Sequence, residues 1–92
     1  MELADLEAVL RDRLSADPAG SYSAGLLRDP ERAQRKIMEE AFELCLELGR
    51  PERDRERTAE EAADLLFHVL VGLVGAGVGL DEVMTVLEGR RK

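Results

Sequence analysis

Residues 65–74 constrain the fold of this chain more than any other segment, because they are apolar on nearly every side of a helix. A helix with that pattern is buried inside a protein rather than lying on its surface. Three polar side chains nevertheless follow one narrow stripe of the same helix, at spacings of three and four residues: Glu61, Asp64 and His68. The sequence therefore predicts a buried helix that carries two carboxylates and an imidazole.

A second long helix is predicted before it in the chain. Asp29 and Pro30 form a strong start signal, a capping carboxylate followed by proline at the first helical position. The apolar pattern then continues to about Leu48, where Gly49 and Pro51 end it. Two long helices are therefore expected to form the body of the fold.

Shorter helices are predicted at the two ends of the chain. The first covers roughly residues 2–15, and the last is capped by Asp81 and runs through Leu87, with residues 89–92 frayed. Residues 21–27 are either irregular or a short helical turn. Residues 51–57 are either a loop or the exposed first turns of the third helix, which ends near Gly75. The expected fold is one all-α domain over residues 1–92, a helical bundle of two long and two shorter helices.

Length and charge limit what such a domain does. A chain of 92 residues buries only about two-thirds of its unfolded surface, so a homodimer that shares its core is expected. The net charge of −7 disfavours binding to nucleic-acid polymers, because the protein repels their phosphates. The most apolar stretch is too short to span a membrane, and the N-terminus lacks a signal pattern. The single Cys45 is expected to be a small buried side chain in a reducing compartment, the cytoplasm.

The second helix carries an acidic sector beside its apolar face. The sector contains Glu39, Glu40, Glu43 and Glu47, and within it Glu40 and Glu43 are neighbours on the helix surface. An acidic stripe on an amphipathic helix is usually just its solvated side, so this helix alone does not indicate a site. The predicted apolar face is centred on Ile37, Ala41, Leu44 and Leu48 and widened by Met38, Phe42, Cys45 and Leu46.

The third helix makes a metal site the better interpretation of Glu39-Glu40-x-x-Glu43 and Glu61-x-x-Asp64. Carboxylates on a buried helix are costly unless compensated, and two like charges 4 Å apart repel by roughly 4 kcal/mol at an effective dielectric near 20. A divalent cation removes both penalties. All-oxygen ligands favour Mg²⁺ first and Mn²⁺ second, and such an ion clamps phosphates and positions the attacking water. The pattern thus indicates cleavage of a nucleotide polyphosphate.

Each of these residues also has an ordinary structural interpretation. If the helix starts at Thr58, then Glu61 completes a capping box. His68 is more often a core histidine than a ligand or base. Lys36 and Arg35 can pair with acidic residues on their own helix, or Lys36 can reach phosphate.

The acidic signature resembles that of the all-α NTP pyrophosphatase (MazG-like) superfamily. Within it, the whole chain is similar to the phosphoribosyl-ATP pyrophosphatase family of histidine biosynthesis. The matching segments are Pro18-x-x-Ser21-Tyr22-Ser23, Lys36-Ile-Met-Glu-Glu-Ala-Phe-Glu43, Glu60-Glu-Ala-Ala-Asp-Leu-Leu-Phe-His68 and Gly79-Leu-Asp-Glu-Val. Met38 stands where that family usually has glycine, and Ser23 where it has threonine.

The resemblance implies Mg²⁺-dependent hydrolysis of phosphoribosyl-ATP to phosphoribosyl-AMP and pyrophosphate by a homodimer. It also implies roles for individual side chains. The metal ligands would be Glu40, Glu43, Glu61 and Asp64; the catalytic carboxylates would be Glu39 and Glu43; the substrate-binding residues would be Lys36, Ser21, Tyr22 and His68.

Two other functions compete with this one. A house-cleaning pyrophosphatase of the same superfamily would share the ligands but act on a (deoxy)nucleoside triphosphate. A non-enzymatic helical dimerisation module would leave the acidic stripes merely solvated, and Mg²⁺ would not change its melting temperature.

Overall fold

The computed structural model describes residues 1–91, and every regular element within them is helical. The elements are α1 (Leu3–Arg13), a 3₁₀ turn (Pro18–Gly20), α2 (Tyr22–Leu27), α3 (Pro30–Leu48), α4 (Arg55–Ala76) and α5 (Leu80–Gly89). The all-α class is confirmed. The structure has one helix more than predicted, because the segment left open between irregular chain and a helical turn forms α2. Of the predicted frayed tail, Gly89 belongs to α5 and Lys92 lies outside the described residues.

The two long helices begin at aspartate caps. The carboxylate of Asp29 accepts the N–H of Arg32 at 3.1 Å, as the start signal predicts, and that of Asp54 accepts the N–H of Arg57 at 3.0 Å. Because α4 therefore starts at Arg55, the alternative in which Thr58 caps the helix is wrong. The Thr58 hydroxyl instead donates to the carbonyl oxygen of Asp54 at 2.7 Å.

The start of α5 differs from the prediction. Asp81 was expected to cap this helix, but it lies in the first turn, and the N-cap residue is Gly79. The carboxylate of Glu82 accepts the N–H of Gly79 at 2.7 Å, and Glu7 on α1 accepts the N–H of Leu80 at 2.6 Å. The second acceptor comes from the far end of the chain, so local sequence signals could not identify it.

The core forms where α3 and α4 pack as an antiparallel hairpin and α1 and α2 cover α4. The turn between α4 and α5 needs Gly77, which has a φ of 75° in the left-handed region. Gly75 lets α4 approach α2, since a Cβ there would lie 3.1 Å from the carbonyl oxygen of Leu27. The buried apolar side chains are Leu10, Ala24, Leu26, Leu27, Ala33, Leu70, Val71 and Val74.

The apolar face of α3 is only partly buried. The buried residues of α3 are Ala33, Glu40 and Glu47, whereas Met38 and Phe42 on the predicted apolar face are 69% and 65% exposed. The expectation that Cys45 is buried is wrong, since its side chain is exposed. The reason is that α3 turns the edge of its acidic sector toward α4, which leaves part of its apolar face uncovered.

Apolar side chains are also exposed on other helices, among them α4 and α5. On α4, Leu66 is exposed, and on α5 the exposed residues are Met84, Val86 and Leu87. Within residues 1–91, no single helix is long and apolar enough to cross a membrane. Taken together, α4 and α5 have the length and composition of a membrane span, but the chain bends by 108° between the two helices.

Candidate metal centre

Three carboxylates from α3 and α4 meet at one point of the hairpin. One oxygen each from Glu40, Glu43 and Glu61 lies within 4.8 Å of the others. Glu40 and Glu43 are one turn apart on α3, and the antiparallel packing brings Glu61 opposite them. Glu40 and Glu61 are each only 9% exposed, whereas Glu43 faces solvent. The structure therefore brings together three of the four predicted ligands.

Two oxygens of this group are buried without a partner. The Oε2 atoms of Glu40 and Glu61 make no hydrogen bond within residues 1–91. A buried carboxylate oxygen that accepts no hydrogen bond carries a large desolvation cost, which a bound cation would remove. The donor set is all oxygen, so the residues fit a hard divalent ion such as Mg²⁺ or Mn²⁺.

The pKa shifts of the two buried carboxyl groups agree with this geometry. Burial, followed by the charges of Glu43 and Asp64, raises the pKa of Glu40 above its ordinary value. The neighbouring carboxyl group of Glu43, followed by burial, raises the pKa of Glu61. Both carboxyl groups thus hold protons more tightly than usual, as expected for acidic groups crowded together without a counter-ion.

Two of the predicted site carboxylates lie outside the three-carboxylate group. Asp64 is exposed on α4 one turn after Glu61, close enough for its charge to raise the pKa of both buried carboxyls. Glu39 is exposed on α3 and pairs with Lys36, with Nζ and Oε2 3.5 Å apart. Lys36 therefore makes the ion pair along its own helix that was one of the two alternatives predicted for it.

His68 connects this group to α2. Its Nδ1 lies 2.9 Å from the carbonyl oxygen of Asp64 and 3.9 Å from Oε1 of Glu40. A neutral ring that donates from Nδ1 accepts the Tyr22 hydroxyl at Nε2, where the distance is 3.3 Å. Because His68 is buried, it reaches the site through Tyr22 and Glu40 rather than lying open to it.

Two of the predicted substrate-binding residues, Ser21 and Tyr22, lie beside each other at the start of α2. The hydroxyl of Ser21 accepts the N–H of Ala24 at 3.2 Å and so caps the helix. The ring of Tyr22 is exposed, and the guanidinium of Arg32 lies 5.6 Å from its centroid. Arg32 did not feature in the sequence prediction, and nothing in its spacing distinguishes it from other surface arginines.

Sequence reasoning also missed Glu47 and Arg57. Glu47 is buried, and its carboxylate pairs with Arg57 at 3.4 Å. Arg57 also contacts Oε1 of Glu61 at 3.3 Å, and its hydrogen bond to Glu47 raises its pKa. Glu43, Leu46 and these three residues line a pocket of about 300 Å³ beside the carboxylate group. The four-residue spacing of Arg57 and Glu61 was the one available signal for this contact.

Nearly the whole chain is similar to one family of known proteins. Residues 3–91 match the model of a family described as phosphoribosyl-ATP pyrophosphohydrolase. A phosphoribosyl-ATP pyrophosphatase from Cereibacter sphaeroides is 48% identical over 92% of this chain and 82% of its own length. One from Methylobacterium nodulans is 43% identical over 96% of the chain and 81% of its length, and one from Roseobacter denitrificans is 42% identical over 99% and 86%.

Proposed function

This chain belongs to the phosphoribosyl-ATP pyrophosphohydrolase family, and we propose that it hydrolyses phosphoribosyl-ATP to phosphoribosyl-AMP and pyrophosphate, a reaction of histidine biosynthesis, with Mg²⁺ as cofactor. The observation that carries the proposal is the pair of buried, unpartnered oxygens on Glu40 and Glu61. A hard divalent cation satisfies both oxygens and supplies the positive charge that an acidic protein needs in order to bind a polyphosphate. Mn²⁺ is the expected substitute.

The ligands of the cation come from both long helices. Glu40, Glu43 and Glu61 would hold it, and Asp64 would join them by rotation of its exposed side chain. When bound, the cation neutralises phosphate oxygens and so favours attack on phosphorus. In the unliganded protein, Glu43 and Asp64 are the solvent-facing members of this set, so a cation would enter and leave on their side.

The remaining acidic and basic side chains would serve the reaction itself. Water attacks the α-phosphorus, the bond between that phosphorus and the α–β bridging oxygen breaks, and pyrophosphate leaves with the electron pair. Glu39 and Glu43 are exposed carboxylates beside the centre, suited to orienting that water and accepting its proton. Lys36 would leave its ion pair with Glu39 and stabilise the charge on the departing pyrophosphate.

The nucleotide end of the substrate would lie against α2. The exposed ring of Tyr22 offers a surface for it, with Ser21 adjacent, and the Tyr22 hydroxyl is held by His68. Through His68, Tyr22 is connected to Glu40. His68 would therefore act on the substrate through the residues it positions.

A direct assay tests the proposal. Pyrophosphate release is measured from phosphoribosyl-ATP and from a panel of dNTPs, each with Mg²⁺ and with EDTA. We expect rapid, Mg²⁺-dependent turnover of phosphoribosyl-ATP and slow turnover of the dNTPs. Fast turnover of a dNTP with none of phosphoribosyl-ATP would instead establish a house-cleaning pyrophosphatase.

Metal binding should also stabilise the protein in a pH-dependent way. A raised pKa means that the folded state holds more protons than the unfolded state between the ordinary value of 4.5 and the folded value. Without metal, these carboxyls therefore make the protein less stable as pH rises through that window. The rise in Tm caused by Mg²⁺ should be larger at about pH 7.5 than at about pH 5, because protons compete for the same oxygens.

Differential scanning fluorimetry with Mg²⁺ or EDTA measures this effect. The Glu40→Gln/Glu61→Gln double variant is the control, since it lacks both titrating groups and should show little response to Mg²⁺ at either pH. An Mg²⁺ response in the wild type that is equal at the two pH values would contradict a site built on these carboxylates.

We also propose that the chain functions as a homodimer. The exposed Met38, Phe42 and Cys45 share one side of α3, and Leu66 is exposed on the adjoining α4. A second copy of the hairpin would cover this face and complete a four-helix arrangement. Such a pairing supplies the apolar burial that a chain of 92 residues lacks by itself.

A cytoplasmic location is proposed on chemical grounds. Cys45 is the single cysteine of the chain, so it cannot form a disulfide within the molecule and its thiol is free. A reducing compartment keeps such a thiol from forming disulfides between molecules.

A further inference from the structure

Glu47 is a buried carboxylate that the proposed reaction does not use. It lies on α3 one turn beyond Glu43, and its side chain is 8% exposed. Arg50 and Arg57 each pair with it at 3.4 Å. Replacing a buried ion pair by apolar residues is often neutral or stabilising, so stability alone is a weak reason for keeping this arrangement.

Arg57 joins Glu47 to the carboxylate group. Its Nε donates to Oε2 of Glu47, and its Nη2 donates to Oε1 of Glu61 at 3.3 Å. Within residues 1–91, it is the only lysine or arginine that pairs with one of the three clustered carboxylates. Oε2 of Glu61 has no such bond, so Glu61 can contact Arg57 with its outer oxygen while the inner one is free for a cation.

The two contacts hold the guanidinium at a fixed place while leaving donors free. Arginine has five N–H donors in a planar fork, and the Nη1 group of Arg57 has no partner within residues 1–91. Its side chain is 55% exposed and borders the pocket formed with Glu43 and Leu46. A guanidinium held in this way is suited to bidentate binding of phosphate oxygens.

We propose that Arg57 binds the polyphosphate of the substrate beside the metal centre, and that the buried carboxylate of Glu47 positions it. This inference rests on the proposed function, because it takes the polyphosphate to lie at the carboxylate group. It adds a phosphate ligand from α4 that the acidic signature does not contain. It also gives the burial of Glu47 a role in substrate binding.

Arg50 provides a matched control in the same chain. It pairs with the same carboxylate at the same 3.4 Å and is equally exposed, at 54%, but it makes no ion pair with the clustered carboxylates. Removing either arginine takes one counter-ion from Glu47. Only removal of Arg57 takes a donor from the pocket.

The first experiment compares Arg57→Ala, Arg57→Lys and Arg50→Ala with the wild type. Calorimetry measures binding of inorganic pyrophosphate with Mg²⁺, and steady-state kinetics gives KM and kcat for phosphoribosyl-ATP. We expect Arg57→Ala to weaken pyrophosphate binding and raise KM about 10-fold or more, with Arg57→Lys intermediate and Arg50→Ala within about twofold of wild type. Unchanged pyrophosphate binding in Arg57→Ala, or an equal loss in Arg50→Ala, would overturn the proposal.

A second variant isolates the role of Glu47. Glu47→Leu fills the buried position with an apolar side chain, and the two arginines that lose their partner are half-exposed and remain hydrated, so the variant should fold with an unchanged or higher Tm. If Glu47 positions Arg57, this variant raises KM severalfold at constant kcat, and Glu47→Gln, which still accepts a hydrogen bond, partly restores it. A normal KM in Glu47→Leu would show that Glu47 has only a structural role. Should the wild type fail to hydrolyse phosphoribosyl-ATP, the proposed function fails, while the pyrophosphate comparison still tests Arg57.

Discussion

Replacing Glu40 by glutamine should lower kcat/KM for phosphoribosyl-ATP by about 100- to 1000-fold, while the metal-free protein melts at a higher temperature than the wild type. Activity falls because the amide is a poor ligand for the cation. Stability rises because the change removes a buried negative charge whose Oε2 has no partner and whose neighbours are also acidic. Kinetics with Mg²⁺ and thermal melts in EDTA measure the two effects on the same sample.

Glu31→Gln is the matched control, since it makes the same chemical change on the same helix at an exposed site. Glu31→Gln should change neither kcat/KM with Mg²⁺ nor the Tm in EDTA appreciably. Near-normal turnover in Glu40→Gln would rule out Glu40 as a ligand. A lower Tm in EDTA would show that the buried carboxylate is compensated in the unliganded protein after all.

Replacing Phe42 by glutamate should convert the proposed dimer to monomers, with a dissociation constant raised about 100-fold or more. The side chain is 65% exposed in the single chain and central to the uncovered side of α3. In a symmetric dimer the change occurs twice, and each copy loses several kcal/mol of aromatic burial while bringing an unpaired charge into the contact. Sedimentation velocity over a range of protein concentrations measures the shift.

Two substitutions complete this test. Phe42→Leu keeps the face apolar and should remain dimeric. Leu3→Glu adds the same charge at an exposed apolar residue of α1, away from the proposed face, and should also remain dimeric. If Phe42→Glu sediments like the wild type, the partner covers a different surface or the chain is monomeric.

The parts of the fold that sequence reasoning predicted correctly depend on local signals. The start of α3 at Asp29 and Pro30 and its end near Gly49 follow from capping chemistry that involves a few adjacent residues. The spacing of Glu40 and Glu43 and the apolar character of α4 predicted that the carboxylates on the two helices would meet. For Glu40, Glu43 and Glu61 they do.

The errors arise where a distant residue decides the outcome. Asp81 appeared to be the cap of the last helix, but Glu7 accepts the first amide of α5 from the other end of the chain. Cys45 was expected inside, yet the rotation of α3 that buries Glu40 and Glu47 turns it outward. The role of Arg57 depends on a pairing with Glu47 ten positions earlier, across the hairpin loop, which no helical spacing indicates.

The attachment of α5 at one end has a consequence for local unfolding. Its first residue, Leu80, packs against the core and is held by Glu7, whereas Met84, Val86 and Leu87 near its other end remain exposed. Amide hydrogens late in this helix should exchange through a local opening that leaves α3 and α4 intact. If the partner chain covers α5, that exchange slows as protein concentration rises, so deuterium uptake in α5 reports whether this helix takes part in assembly.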